Sequence, residues 1–180
     1  MTISRTLSIA YILFTGLALF RASHAEATEP AKDPLFTAQI VESTLAQVDS
    51  LARSMETLEL FGKNTLEQAS TVLDMGPDAC PTLAKWLKNR RKDWKTRYWV
   101  ADMLAYVGRA DTIKPLMRAV RSEKEHRAVR LRALESIEEL WKKYRANTRE
   151  LRADLESALA KTRDPKVREH IRRTLNEIDI

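Results

Sequence analysis

The sequence predicts an all-α protein: a right-handed α-solenoid of stacked helix pairs behind a long N-terminal capping helix. Three observations predict it. From Leu35 onward apolar residues recur at steps of three and four, the period of helices that bury one face. No stretch shows sustained apolar–polar alternation bounded by hairpin turns, so strands are not expected. Three stretches also echo one another: DWKTRYWVADMLAYVG from Asp93, HRAVRLRALESIEEL from His126 and DPKVREHIRRTLNEI from Asp164. The starts 93, 126 and 164 are 33 and 38 residues apart, and a repeat of that size is one helix pair that must stack on its neighbours to bury its apolar face.

The elements follow in order. Arg5 precedes the uncharged run Leu7 to Phe20, and RASHA then places Ser23 and Ala25 three and one positions before a cut. That is the layout of a secretory signal peptide over residues 1–25, with a cut after Ala27 or a retained N-terminal anchor as alternatives. A spanning helix needs about 20 apolar residues, so the run is short for a membrane span, and none is expected after cleavage. Export to the periplasm or the extracellular space follows. Residues 26–34 (EATEPAKDP) read as a flexible linker.

Val41, Leu45, Val48, Ala52, Met55 and Leu58 then trace one stripe along a helix over 35–61. Repeat units, roughly four helix pairs in all, are expected over 64–90, 93–122, 126–161 and 164–180. Gly62, Gly76 and Gly108 each follow an apolar run and are expected as left-handed helix ends. Asp164 followed by Pro165 reads as an N-cap with proline at the first helical position, and Asp93 as a second cap. Pro81 and Pro115 fall in first turns, where amides have no internal partner. His126 replaces the Asp in the middle copy, which predicts a weaker cap.

Aligned on DWKTR, HRAVR and DPKVR, the three copies place apolar residues at matching offsets. Val100, Ala101, Met103, Leu104 and Val107 are answered by Ala133, Leu134, Ile137 and Leu140, and by Ile171, Leu175 and Ile178. Ser136, Thr174 and Arg172 are the departures. TRYWVADMLAYVG and DMGPDACPTLAKWL resemble HEAT repeats, in particular the short bacterial kind related to phycobilisome-lyase repeats. The resemblance runs from about Leu66 to Ile180, makes the four expected units HEAT-like and is degenerate before Asp74. It implies that Arg97, Arg130 and Arg168 pair with acids between repeats, a structural role.

Charge divides the chain. Residues 26–84 hold 3 Lys/Arg against 10 Asp/Glu, whereas residues 85–180 hold 26 against 15. The densest part, KWLKNRRKDWKTR (Lys85 to Arg97), has seven basic residues and one acid. Tyr98, Asp102 and Tyr106 recur every four residues on the face opposite the apolar stripe of their helix, with Trp86, Trp94 and Trp99 near them. An exposed cluster of Tyr, Trp and Arg has the composition of a protein-binding hot spot. A partner surface is therefore expected on Trp86, Lys88, Arg90, Arg91, Trp94, Tyr98, Asp102 and Tyr106. The bland alternatives are tryptophans filling gaps between repeats and a solvated basic loop. A protein partner is expected first and an anionic surface or polyanion, met by residues 85–97, second. An exported chain does not meet genomic DNA.

Catalysis is not expected, with an unrecognised enzyme on a HEAT-like scaffold as the remaining alternative. The sequence holds no Gly-rich phosphate loop and no Ser-centred elbow. Metal-dependent hydroxylases of the HEAT-like class carry His-Glu pairs at equivalent repeat positions. Here Glu125–His126 and Glu169–His170 run in reverse order at different offsets, and two solitary histidines make a poor metal site. No cofactor is expected. Cys80, the one cysteine, forms no intramolecular disulfide, and a buried inert thiol is expected over a nucleophile served by His126 or His170.

Overall fold

The computed structural model describes residues 33–145 and 147–178. The expected leader over 1–25 and residues 26–32 of the linker lie outside them, and Pro34, counted with the linker, opens the first helix. Among the described residues the chain is all-α. The helices are α1 (Pro34–Ser54), α2 (Leu58–Asn64), α3 (Leu66–Met75), α4 (Cys80–Lys88), α5 (Trp94–Val107), α6 (Ile113–Arg121), α7 (Arg127–Tyr144), α8 (Thr148–Lys161) and α9 (Pro165–Ile178). Short 3₁₀ turns at Gly76–Ala79 and Ala110–Thr112 lead into α4 and α6. No described helix is long and apolar enough to cross a membrane.

The single helix expected over 35–61 is two. Thr57 adopts an extended backbone, and its hydroxyl accepts from Leu60 N, starting α2 afresh. The break leaves the Met55 carbonyl free of a helical partner, and Lys95 Nζ donates to it at 2.7 Å. An apolar stripe can continue across such a break, so periodicity alone does not reveal it.

Helix entries follow their caps. The Asp93 carboxylate accepts from Lys95 N at 2.8 Å, and that of Asp164 from Lys166 N at 3.0 Å. At the middle copy His126 Nδ1 accepts from Ala128 N at 3.3 Å, the longer bond expected of the weaker cap. The glycines behave differently from one another. Gly76 has φ +59, where a side chain would be strained. Gly62 instead lies inside α2, and Gly108 is extended rather than left-handed. A Cβ on Gly108 would come within 2.2 Å of the Leu104 carbonyl oxygen, so close approach, not a positive φ, excludes a side chain there.

The first helices α3, α5, α7 and α9 pack side by side, as do α4, α6 and α8. Across these two rows α4 lies on α5, α6 on α7 and α8 on α9, so each second helix packs most extensively on the first helix of the next sequence unit. This is why no sequence unit can bury its own face. Leu104, Leu134 and Ile137 are fully buried, as their repeat-equivalent places require. Ser136 occupies an apolar place because its hydroxyl has carbonyl partners, at 2.9 Å from Ala101 O and 2.8 Å from Arg132 O.

Helix α5 is the most enclosed. It touches α1, α2, α3, α4 and α7, and ten of its fourteen residues are buried. Asp49, from the middle of α1, fastens this contact: its carboxylate accepts from Asp93 N at 3.0 Å, Thr96 Oγ1 at 3.0 Å and Arg53 Nη2 at 3.0 Å. Burial pushes the Asp49 carboxyl up, but these donors outweigh it and hold the group below its ordinary value.

Candidate functional site

Two surfaces were expected to carry recognition, and the structure separates them. The aromatic one is largely interior. Trp86 is buried, with Nε1 donating to Glu42 Oε2 at 2.6 Å, and Trp99 and Trp141 are buried as well. Trp94 is half-buried and stacks on His126 with centroids 4.1 Å apart. Tyr98, Asp102 and Tyr106 do not form an open stripe. They are half-buried against α7, where Asp102 pairs with Arg132, and Arg132 also reaches Glu135 at 2.9 Å and Glu139 at 3.2 Å. Burial raises the Asp102 carboxyl against the pull of Arg132, and raises the Tyr106 hydroxyl to about 12. The face opposite an apolar stripe is open only where no further helix covers it, and here α7 does.

The repeat-equivalent arginines are structural. Arg97 is buried and donates to Glu125, which is also buried, through Nη2 at 2.8 Å. Arg130 donates to Val120 O at 2.9 Å and pairs with Glu123 at 2.8 Å. Arg168 reaches no acid; its Nη1 donates to Leu159 O at 2.8 Å and Thr162 O at 3.0 Å. The expected pairing with acids therefore holds for two, while all three take a carbonyl of the preceding segment, Lys92 O in the case of Arg97.

Only the first part of the basic segment is exposed: Lys92 is half-buried, and Lys95 and Arg97 are buried. Lys85 and Lys88 end α4, and Arg90 and Arg91 follow in the loop, all exposed. Helix α6 adds Lys114, Arg118 and Arg121, also exposed, at i, i+4 and i+7 on one side. Arg118 was not anticipated, although that spacing could have revealed it.

Partners sort these cations into two groups. Lys85 pairs with Glu42 of α1 at 2.8 Å. Arg121 pairs with Asp154 of α8, and Lys114 stands 4.0 Å from Glu150 of the same helix. Between these pairs, Lys88, Arg90, Arg118 and Ser122 line a groove of about 180 Å³ where α4 meets α6. Ala84, Leu87, Pro115 and Ala119 give it an apolar lining. Arg90 hydrogen-bonds the Ser122 hydroxyl, whereas Lys88 and Arg118 have no side-chain partner among the described residues. Glu125 is the acid at this groove, and it is committed to Arg97.

A second cleft, of about 230 Å³, lies at the starts of α4 and α6 and includes Cys80, Asp78, Arg109 and Asp111. Cys80 is half-buried rather than fully enclosed, and desolvation pushes its thiol up to about 11. A thiol held protonated at neutral pH is a poor nucleophile. The two candidate bases are engaged elsewhere, His126 in its cap and His170 with Glu138 at 3.1 Å. Among the described residues no group of three or more His, Cys, Asp or Glu is placed to hold a metal ion. The groups present can form ion pairs and cover apolar surface. No family model matches the chain, and no curated protein or solved structure is significantly similar to it.

Proposed function

We propose that this protein is an exported, non-catalytic adaptor, a right-handed solenoid of HEAT-like helix pairs that binds a protein partner in the periplasm or cell envelope through the α4–α6 seam. The single observation that carries the binding surface is the group of cations at that seam, Lys88 and Arg118 above all, which no acid among the described residues pairs, since Glu125 at the groove is taken by Arg97. Unmatched cations beside an apolar groove favour a partner that brings both carboxylates and apolar contact. The side-by-side rows of helices and the repeated arginines support the solenoid. Helix α1 suits a cap over its middle and end, where the exposed Gln39, Ser43, Gln47 and Ser50 are polar, while Leu35 and Phe36 at its start are exposed and apolar. Export rests on the leader read over residues 1–25.

A second reading, a binder of acidic membrane surfaces or polyanions, draws on the same cations. Retention of the protein from envelope extract at low and high salt, with wild type beside Arg90→Glu/Arg91→Glu, tests the first. Loss of one defined protein partner in the variant and at high salt is expected. Partner capture indifferent to both would remove the seam from the function. Salt-dependent retention on acidic vesicles or heparin with no protein partner would instead favour the second reading.

A further inference from the structure

The geometry points to an acidic peptide segment, with an aliphatic side chain next to its carboxylate, as the occupant of the α4–α6 seam; this deepens the adaptor reading and rests on it. The chain supplies its own templates. Lys85 is met by Glu42, whose neighbour Val41 is fully buried. Arg121 is met by Asp154, whose neighbour Leu155 is fully buried. Lys114 faces Glu150, and Leu151 beside that acid is buried too. Along α4 and α6, then, each cation satisfied from another helix is satisfied by a carboxylate one residue from a buried aliphatic.

The seam between them offers cations beside a small apolar floor. Lys88, Arg90 and Arg118 form the cationic half; on the apolar half Ala84 and Pro115 are half-buried, with Leu87 and Ala119 buried at its base. A guanidinium takes a carboxylate through two parallel hydrogen bonds, and Arg118 is exposed and pairs with no acid among the described residues, the groove's own Glu125 being held by Arg97. The groove, about 180 Å³, has room for one aliphatic side chain. A plain polyanion would satisfy the charges but leave the apolar half wet, so affinity should depend on both features.

Binding of dye-labelled peptides to the full chain tests this by fluorescence anisotropy. One peptide repeats Glu-Leu-Asp; the other repeats Glu-Ser-Asp with identical length and charge. The leucine peptide is expected to bind about tenfold tighter, the effect of burying one aliphatic side chain. Equal affinities, or binding of heparin or phosphatidylglycerol vesicles without binding of either peptide, would overturn the proposal. Lys88→Glu/Arg118→Glu separates it from the reading beneath it. The double variant is expected to lose the leucine peptide by about tenfold or more, with an unchanged melting temperature. A variant that binds the leucine peptide as well as wild type would show that the site is not this seam, whatever its chemistry. The milder Lys88→Gln/Arg118→Gln pair, expected to lose less, keeps the comparison available if reversal disturbs folding, and undiminished binding there counts equally against the seam.

Discussion

Where α6 lies against α8, Arg121 meets Asp154 and Lys114 faces Glu150; where it lies against α4, the side chains of Arg118, Lys88 and Arg90 meet, among the described residues, only the hydroxyl of Ser122. Both seams join second helices of successive pairs, and α6 contributes to both. The difference comes from the helix that arrives opposite: α8 brings acids at positions 150 and 154, whereas α4 brings more cations. A charged helix face thus acquires a role only from its neighbour. Matched, it is a fastening; unmatched, it stays open to solvent.

The largest effect should come from removing what both seams stand on. Leu104→Ala in the fully buried centre of α5 is expected to cost about 2–5 kcal/mol, read from urea unfolding, and to disturb both seams together. A loss below about 1 kcal/mol would undo the alignment of the repeats. Next comes Asp49→Ala, which leaves Asp93 N and the Thr96 hydroxyl without their acceptor and should cost about 2–3 kcal/mol. Because the folded Asp49 carboxyl is held below its ordinary 3.8, its stabilisation is complete above that value and is lost as pH falls through the folded value. Melting temperature against pH should therefore drop less steeply below pH 3.8 in the variant, and parallel curves would exclude this origin.

Tyr98→Ala with Tyr106→Ala sharpens the comparison from the interior side. Each ring is half-buried against α7, so each truncation should cost about 1–3 kcal/mol while peptide capture at the α4–α6 seam persists. Loss of capture without loss of stability would return the aromatics to the binding surface. The smallest effect on stability is expected from Asp154→Ala, which makes the matched seam resemble the unmatched one. The Arg121–Asp154 pair is about one-third exposed on each side, so its removal should cost about 0–1 kcal/mol. The freed Arg121 should raise the salt needed to elute the protein from heparin, and unchanged elution would mean that α8 does not mask this cation.

The sequence shows the fold along each helix better than it shows the fold between helices. The starts at Asp93, His126 and Asp164 and the buried places of Leu104, Leu134 and Ile137 were legible because capping and 3.6-residue periodicity are local. The break at Met55 to Thr57 was not, since the stripe continues through it and its stabilising partner, Lys95, lies forty residues on. The Tyr98–Asp102–Tyr106 face was misread for a related reason: periodicity reports one buried side of α5 but not that α7 covers the other. Asp49 gave no signal at all, because a lone acid on an apolar stripe declares its role only once α5 arrives. The exposed cations at 88–91 were legible as charge, and the groove they share with Arg118 was not.

The stack of Trp94 on His126 also makes the start of α7 visible to light. Nδ1 of His126 can accept from Ala128 N only while the ring is neutral, and burial holds the imidazole below its ordinary 6.5. The cap is therefore intact above pH 6.5 and is lost as pH falls toward the folded value, when the unfolded chain binds the proton first. An imidazolium 4.1 Å from an indole quenches its emission, so the proton that unlatches the helix also dims Trp94. Intrinsic fluorescence titrated between neutral and mildly acid pH becomes a gauge of one helix terminus. Replacing His126 with Asn, which caps without titrating, should flatten it.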